Sequence, residues 1–380
     1  MLAVILLATA SAVVFYFLIG YPILLAISRR AAPPVRKDPA FRPTISVMVA
    51  VHNGEEFLQR KIESLLALDY PAHLREILLI SDGSTDATEP IAASFADRGV
   101  RLLCVPRGGK AAALNAGLAQ ASGEILFFTD VRQLLDARAL SHLAANFADP
   151  SVGAVTGELR LLNPASAGEQ ADMELYWRFE IWARGRHSRI DSIFSTTGCI
   201  YALRRSLASP LPADTIADDG TFSLRAFFRG YRVVFDPEAL AFDYPAAEGV
   251  EFRRRLRTLA GLWQLFVRLP QLFTSANRMR LHFLSYKFGR LVLPWAILLI
   301  LGSTLALTDF RWRNFLLIDE LMLVVLAALD RFVPRAFPLK RISSPARTFV
   351  AMNAAALLAM LVFIVPAETL WRPTRMQARQ

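Results

Sequence analysis

Polar residues of a few types stand where the apolar runs of this chain break. His52 and Asn53 follow the run 44–51, Asp82 follows 77–81, and Asp130 closes the run 124–128 by way of Thr129. Lys110 comes after a Gly108-Gly109 pair, and the adjacent carboxylates Asp218 and Asp219 precede an apolar stretch at 222–228. A carboxylate at the tip of a buried strand suits a ligand that offers N–H or O–H donors, such as a base or a ribose. In open α/β sheets that edge is where ligands bind. Each signal has a plain alternative: Asp82 as a solvated side chain in a strand-to-helix loop, and Asp218 and Asp219 as caps of the helix they precede.

The surrounding pattern says what would hold these residues. The runs 44–51, 77–81, 100–105 and 124–128 read as strands, mostly buried on both faces. The stretches 55–68, 87–96 and 111–121 between them have helical spacing, with Phe57, Ile62, Leu65 and Leu66 on one face of the first. This alternation predicts an α/β domain, a mostly parallel sheet with helices on both faces. In such a sheet the ends of the three strands carrying His52 and Asn53, Asp82, and Asp130 share one edge, so these groups can converge. Beyond them, 135–147 reads as a helix, 153–162 as a strand, 171–186 as a long amphipathic helix, and 194–203 as an apolar strand. Small polar residues and Gly198 interrupt that last run, which fits either a bulged core strand or a close approach of ligand to backbone. No G-x-G-x-x-G follows the first strand and no G-x-x-x-x-G-K-[ST] occurs, which speaks against a dinucleotide dehydrogenase and a P-loop NTPase.

Of the 380 residues 54% are hydrophobic, and the net charge is +10. Residues 1–28 carry no charge and exceed the roughly 20 residues needed to cross a bilayer, with Arg29, Arg30, Arg36 and Lys37 directly behind them. A cleaved signal peptide has its positive charge first and a shorter apolar core, so the segment reads as a retained anchor with the following residues in the cytoplasm. Every charged residue from 252 to 308 is Lys or Arg. Beside apolar segments such a bias suits anionic lipid headgroups; without interleaved aromatics on a soluble basic face it does not suit nucleic acid. Crossings are expected at 291–307 and 348–365, with 315–329 weaker because Asp319 and Glu320 lie inside it. The expected organisation is an anchor at 1–30, a Pro-rich linker at 31–43, an α/β domain at 44–250, basic and interfacial helices at 251–286, two or three transmembrane helices at 287–371, and a basic tail at 372–380. Two cysteines, Cys104 and Cys199, suit neither a disulfide framework nor a zinc site.

The segments VAVHNGEEF, ILLISDGSTDAT, GGKAAALNAGL, ILFFTD, STTGCIYALRR and IADDGTFSLRAFFRGYRVVFDPEA, in this order, resemble the membrane-bound family 2 glycosyltransferases, the group of cellulose, hyaluronan and poly-N-acetylglucosamine synthases. The resemblance covers residues 40–295. It implies a GT-A fold and an inverting transfer of sugar from a nucleotide-sugar, usually UDP-linked, to a saccharide or lipid-linked acceptor, in a multi-pass protein of the bacterial inner membrane with its catalytic domain in the cytoplasm. It implies nucleotide contacts at Val51, His52, Asn53, Asp82 and Lys110, a divalent metal (Mg2+ or Mn2+) at Asp130, and a general base at Asp219. Asp218 stands beside that base, and Arg254, Arg255 and Arg257 fall in the segment that meets the diphosphate and acceptor. An inverting displacement needs one base and no covalent intermediate. Membrane lipids and export or assembly partners are further expected contacts.

Two departures stand out. The second acidic position of D-x-D is Arg132, a cation, so either Asp130 holds the metal alone or Arg132 partly substitutes for the metal against the diphosphate. The Gln and Trp of Q-x-x-R-W are Arg254 and Thr258, which weakens the case for a long polymer as product. A non-catalytic, nucleotide-sugar-binding membrane component is the alternative reading these departures leave open.

Overall fold

A computed structural model of the chain describes residues 1–162, 169–244, 250–308, 311–334 and 337–365, without the side chains of 169–176 and 250–251. The described residues form two compact units: 31–162 with 187–244, and 1–30 with 169–186 and 250–365. The stretch 169–186, expected within the α/β domain, therefore belongs to the helical unit. The tail 372–380 and Arg335 lie outside the described residues.

The first unit is built on a sheet with strands β1 (Ile45–Val51), β2 (Arg75–Asp82), β3 (Val100–Val105), β4 (Ile125–Phe128), β5 (Leu134–Leu135), β6 (Val152–Leu161), β7 (Tyr201–Arg204) and β8 (Arg232–Asp243). Their spatial order is β3-β2-β1-β4-β7-β6-β8-β5. As the spacing predicts, β1 to β4 are parallel, with Val51 level with Ser81 and Met48 level with Phe128. These strands are almost wholly apolar because helices cover both faces. The helix Glu55–Leu66 buries Leu58, Ile62 and Leu65 in the core that also holds Val47, Val49 and Leu79.

Beyond β4 the sheet is mixed. β7 runs antiparallel to both β4 and β6, β8 is parallel to β6, and β5 is antiparallel to β8. Strand β8 has no simple sequence signature because Asp236, Pro237 and Glu238 interrupt its apolar run. The structure absorbs them as an irregularity: Thr156 pairs with Phe235, but Glu158 already pairs with Leu240. The run 194–203 is a strand only from Tyr201 onward. Ahead of it the Thr197 N–H goes to Thr156 Oγ1 (2.8 Å) and the Ile200 N–H to the Thr197 carbonyl (2.9 Å), a side chain and a turn rather than a ladder, while the Thr196 hydroxyl donates to the Asp219 carbonyl (3.1 Å). Likewise 135–147 contains a helix only over Ala139–Ala145, because Leu134 and Leu135 pair with β8.

In the helical unit three helices of the described residues are long and apolar enough to cross a membrane: Leu2–Ile27, Arg280–Ala306 and Lys340–Phe363. The helix Arg313–Leu329, with Asp319 and Glu320, falls short of that length. Tyr16 Oη lies 2.6 Å from Ser285 Oγ, and Tyr21 Oη 3.2 Å from His282 Nδ1, joining the first helix to the second. The Arg186 guanidinium donates to the carbonyls of Leu25, Ala26 and Ser28 at 2.7 to 3.2 Å. It thereby serves carbonyls that a helix end leaves without partners. Arg254, Arg255 and Arg257 lie on the helix Val250–Arg268 of this unit, where Arg255 faces the Trp177 ring at 5.9 Å.

Candidate active site

The parallel register brings the ends of β1, β2, β3 and β4 to one edge of the sheet. Because β7 enters antiparallel beside β4, with Tyr201 level with Phe128, the residues before it arrive at the same edge.

The first two loops are joined side chain to backbone. Asn53, in the left-handed region at φ 50°, accepts the Thr85 N–H on Oδ1 (2.8 Å), and its own N–H donates to Ser84 Oγ (3.1 Å). Glu55 and Asp86 cap reciprocally: the Glu55 N–H donates to Asp86 Oδ2 and the Ala87 N–H to Glu55 Oε2. His52 Nδ1 donates to the Asp82 carbonyl (2.8 Å), which leaves Nε2 as the acceptor of a neutral ring. Partial burial and the nearby Arg107 charge hold its pKa below the usual value. Val51 points into the core, so only its backbone is at the edge.

Asp82 is buried and already engaged. Oδ1 accepts the N–H groups of Gly108 (2.7 Å) and Gly109 (3.1 Å), and Oδ2 that of Gly109 (3.0 Å) and the Arg107 guanidinium. In this state the carboxylate anchors the loop in front of Lys110. Gly83 makes this possible: it sits at φ 59°, and a Cβ there would lie 2.8 Å from the Arg107 nitrogen. Gly83→Ala is therefore expected to destabilise the unit by about 1–3 kcal/mol, the range for a strained left-handed residue, read as a fall in thermal unfolding temperature.

The anchored loop starts the helix Lys110–Gln120, and its first side chain crosses to the other carboxylates. Lys110 Nζ lies 3.0 Å from Asp130 Oδ1 and 3.3 Å from Asp218 Oδ1. Burial opposes its charge, but Asp130, Asp218 and Asp219 outweigh that and hold the ammonium above the usual lysine range. Asp218 and Asp219 form the first turn of the helix Asp218–Phe228 rather than preceding it. Asp218 Oδ2 accepts from the buried Tyr201 hydroxyl (3.3 Å), whose ring stacks on Phe128 at 4.6 Å. Asp219 Oδ1 accepts the Gly220 N–H (2.8 Å). Gly198 leaves room beside Asp219: a Cβ there would stand 3.8 Å from Oδ2. Burial, then the Asp218 charge, push the Asp219 carboxyl up to about 6.

Lys110, Asp130, Asp218 and Asp219 are thus one electrostatic group, and Asp82 holds the loop in front of it. Asp130 is well exposed, with 41% of its side chain accessible. Among the described residues no group of three His, Cys, Asp or Glu is placed to hold a metal ion. One exposed carboxylate still fits Mg2+ or Mn2+ where a diphosphate supplies the other oxygens. Arg132 is paired with the buried Asp243 at the end of β8, which also accepts Gln133 Nε2 (2.7 Å).

Residues 46–211 match the family described as glycosyl transferase family 2. This segment is a family 2 glycosyltransferase domain. The chain is 26% identical over 272 residues to a probable glycosyltransferase of Bacillus subtilis (strain 168), covering 68% of this chain and 64% of that protein. It is 26% identical over 278 residues to the poly-beta-1,6-N-acetyl-D-glucosamine synthase of Staphylococcus aureus (strain COL), covering 68% and 65%. The match therefore takes in slightly less than two thirds of each relative. A mannosyltransferase from Pyrobaculum calidifontis, solved in complex with GDP-Man and Mn2+, superposes with a TM-score of 0.72 over 96% of this chain and 99% of its own, at 23% identity. That likeness shows the GT-A fold expected from the motifs.

Several residues around this sheet edge carry little signal in the sequence. Arg107 and Asp243 reveal themselves only through their partners. Tyr201 lies within a quoted motif, but only the antiparallel pairing of β7 puts its hydroxyl on Asp218. Lys61 had a usable signal: it falls between Leu58, Ile62 and Leu65 on the buried stripe of its helix.

Proposed function

We propose that this protein is an inverting glycosyltransferase that moves a sugar from a nucleoside diphosphate, in the first instance UDP, to a saccharide or lipid-linked acceptor at a membrane. The observation that supports it best is the carboxylate group gathered around Lys110, with Asp219 raised toward neutral pH at its inner end. The backbone at Val51, with His52, Asn53 and Asp82, forms the nucleoside side of the site. Lys110 turns from its carboxylates to the diphosphate, and Asp130 would hold a divalent cation there. Such a cation, when bound, neutralises the charge that develops on the leaving diphosphate. Arg132, fixed by Asp243, adds positive charge beside Asp130. Asp219 accepts the proton of the attacking hydroxyl, and a carboxyl poised near 6 is well matched to that task. Asp218 positions Lys110. Three helices long and apolar enough to cross a membrane support a multi-pass protein, and the basic residues of the helix Val250–Arg268 suit anionic groups at the cytoplasmic membrane surface.

The test is a panel of UDP- and GDP-sugars, offered with Mn2+ and a membrane lipid extract to the full chain in nanodiscs. One donor should release its nucleoside diphosphate, faster with the extract than without. Nucleotide uptake with no release from any donor would favour a binding component instead.

A further inference from the structure

Lys61 is a fully buried ionisable residue of the α/β unit's core with no part in the proposed transfer. It lies on the helix Glu55–Leu66, and its side chain is completely buried. It does not reach water along its aliphatic stem, as lysines at a core margin do. Its ammonium instead donates to Thr129 Oγ1 and to the Gln133 carbonyl, both at 2.6 Å. These acceptors bracket the short loop that carries Asp130 and Arg132. The loop's far side is tied by Asp243, which holds Arg132 and Gln133.

Burying an ammonium is unfavourable, and an apolar residue of similar volume commonly does as well or better for stability alone. Met at this position would fill the space beside Leu58, Ile62 and Leu65 but leave the Thr129 hydroxyl and the Gln133 carbonyl without this donor. Burial brings the lysine down to about 7, in keeping with a group held for its hydrogen bonds at the expense of its charge. From this geometry we infer that Lys61 is a positioning residue: it clamps both ends of the 129–133 loop from inside the core, fixing the direction in which Asp130 presents its carboxylate to a divalent cation. The inference rests on the proposed role of Asp130. Residues that orient a metal ligand from behind typically contribute 10–100-fold to metal affinity.

The experiment measures Mn2+ binding directly, by the EPR signal of free Mn2+ over the full chain in nanodiscs with saturating UDP or GDP. Three variants are compared by Mn2+ affinity and unfolding temperature. Lys61→Met is expected to bind Mn2+ about 10–100-fold more weakly, and Thr129→Val, which removes one of the two acceptors, to shift it in the same direction by less. Leu65→Ala, a cavity in the same helix face, should lower the unfolding temperature and leave Mn2+ affinity alone. Unchanged Mn2+ affinity in Lys61→Met, or an equal loss in Leu65→Ala, would overturn the clamp and leave the proposed function standing. If Lys61→Met does not fold, Thr129→Val against Leu65→Ala decides by the same criteria. A wild-type chain that takes up no Mn2+ would remove both this inference and the metal role of Asp130.

Discussion

Asp219→Asn is expected to lower the rate of sugar transfer by about 10²–10⁴, the usual contribution of a positioned general base, while binding of the nucleoside diphosphate survives. The substitution keeps shape and the Gly220 N–H contact, so the helix start should persist. It removes the proton acceptor alone. Single-turnover transfer and nucleotide binding by calorimetry separate the two effects. A variant that transfers as the wild type does would take the base role from Asp219. The same group sets the pH dependence. Since the carboxyl is raised to about 6 and must be ionised to act, kcat/KM should rise with pH through about 6 and level off above it. The raising comes from burial first and Asp218 second, so Asp218→Asn should move the acid limb to lower pH.

Lys110→Met is expected to weaken donor binding by about 10–100-fold, the equivalent of a lost charge-assisted hydrogen bond of 1.5–3 kcal/mol. It carries a second signature that simple loss of a phosphate contact does not. In the free protein Lys110 is the cation among Asp130, Asp218 and Asp219, and it draws the Asp219 carboxyl down. Without it the like charges face one another unrelieved, and the acid limb of kcat/KM should move to higher pH, opposite to the effect of Asp218→Asn. Opposed shifts in the two variants would establish that these residues titrate as a group; a shift in the same direction would contradict that.

The parallel half of the sheet was legible because its strands are apolar on both faces and its helices are periodic, and this carried Asp82, Lys110 and Asp130 to one edge. The second half was not. In β8 the Asp236-Pro237-Glu238 irregularity hides a strand, and in 194–200 the backbone bonds go to the Thr156 hydroxyl and to a local turn rather than to a ladder. Spacing could not place Asp218 and Asp219 inside a helix's first turn, since capping residues and first-turn residues share the same types. Nor could it show that Asp82 is already bonded to Gly108 and Gly109, or that Arg132 pairs with Asp243, 111 residues away. Such partners are settled by strand order, which local pattern does not encode.

That strand order has a consequence for biogenesis. The parallel half of the sheet is complete by residue 128, but β4 gains its second neighbour only when Tyr201–Arg204 emerges from the ribosome. Until then Ile125–Phe128, ILFF, is an open apolar edge, the kind of template on which nascent chains associate wrongly. A chain cut short before Tyr201 would keep that edge permanently bare and lack Asp219, the proposed base, so truncations there should give insoluble protein rather than a smaller soluble domain.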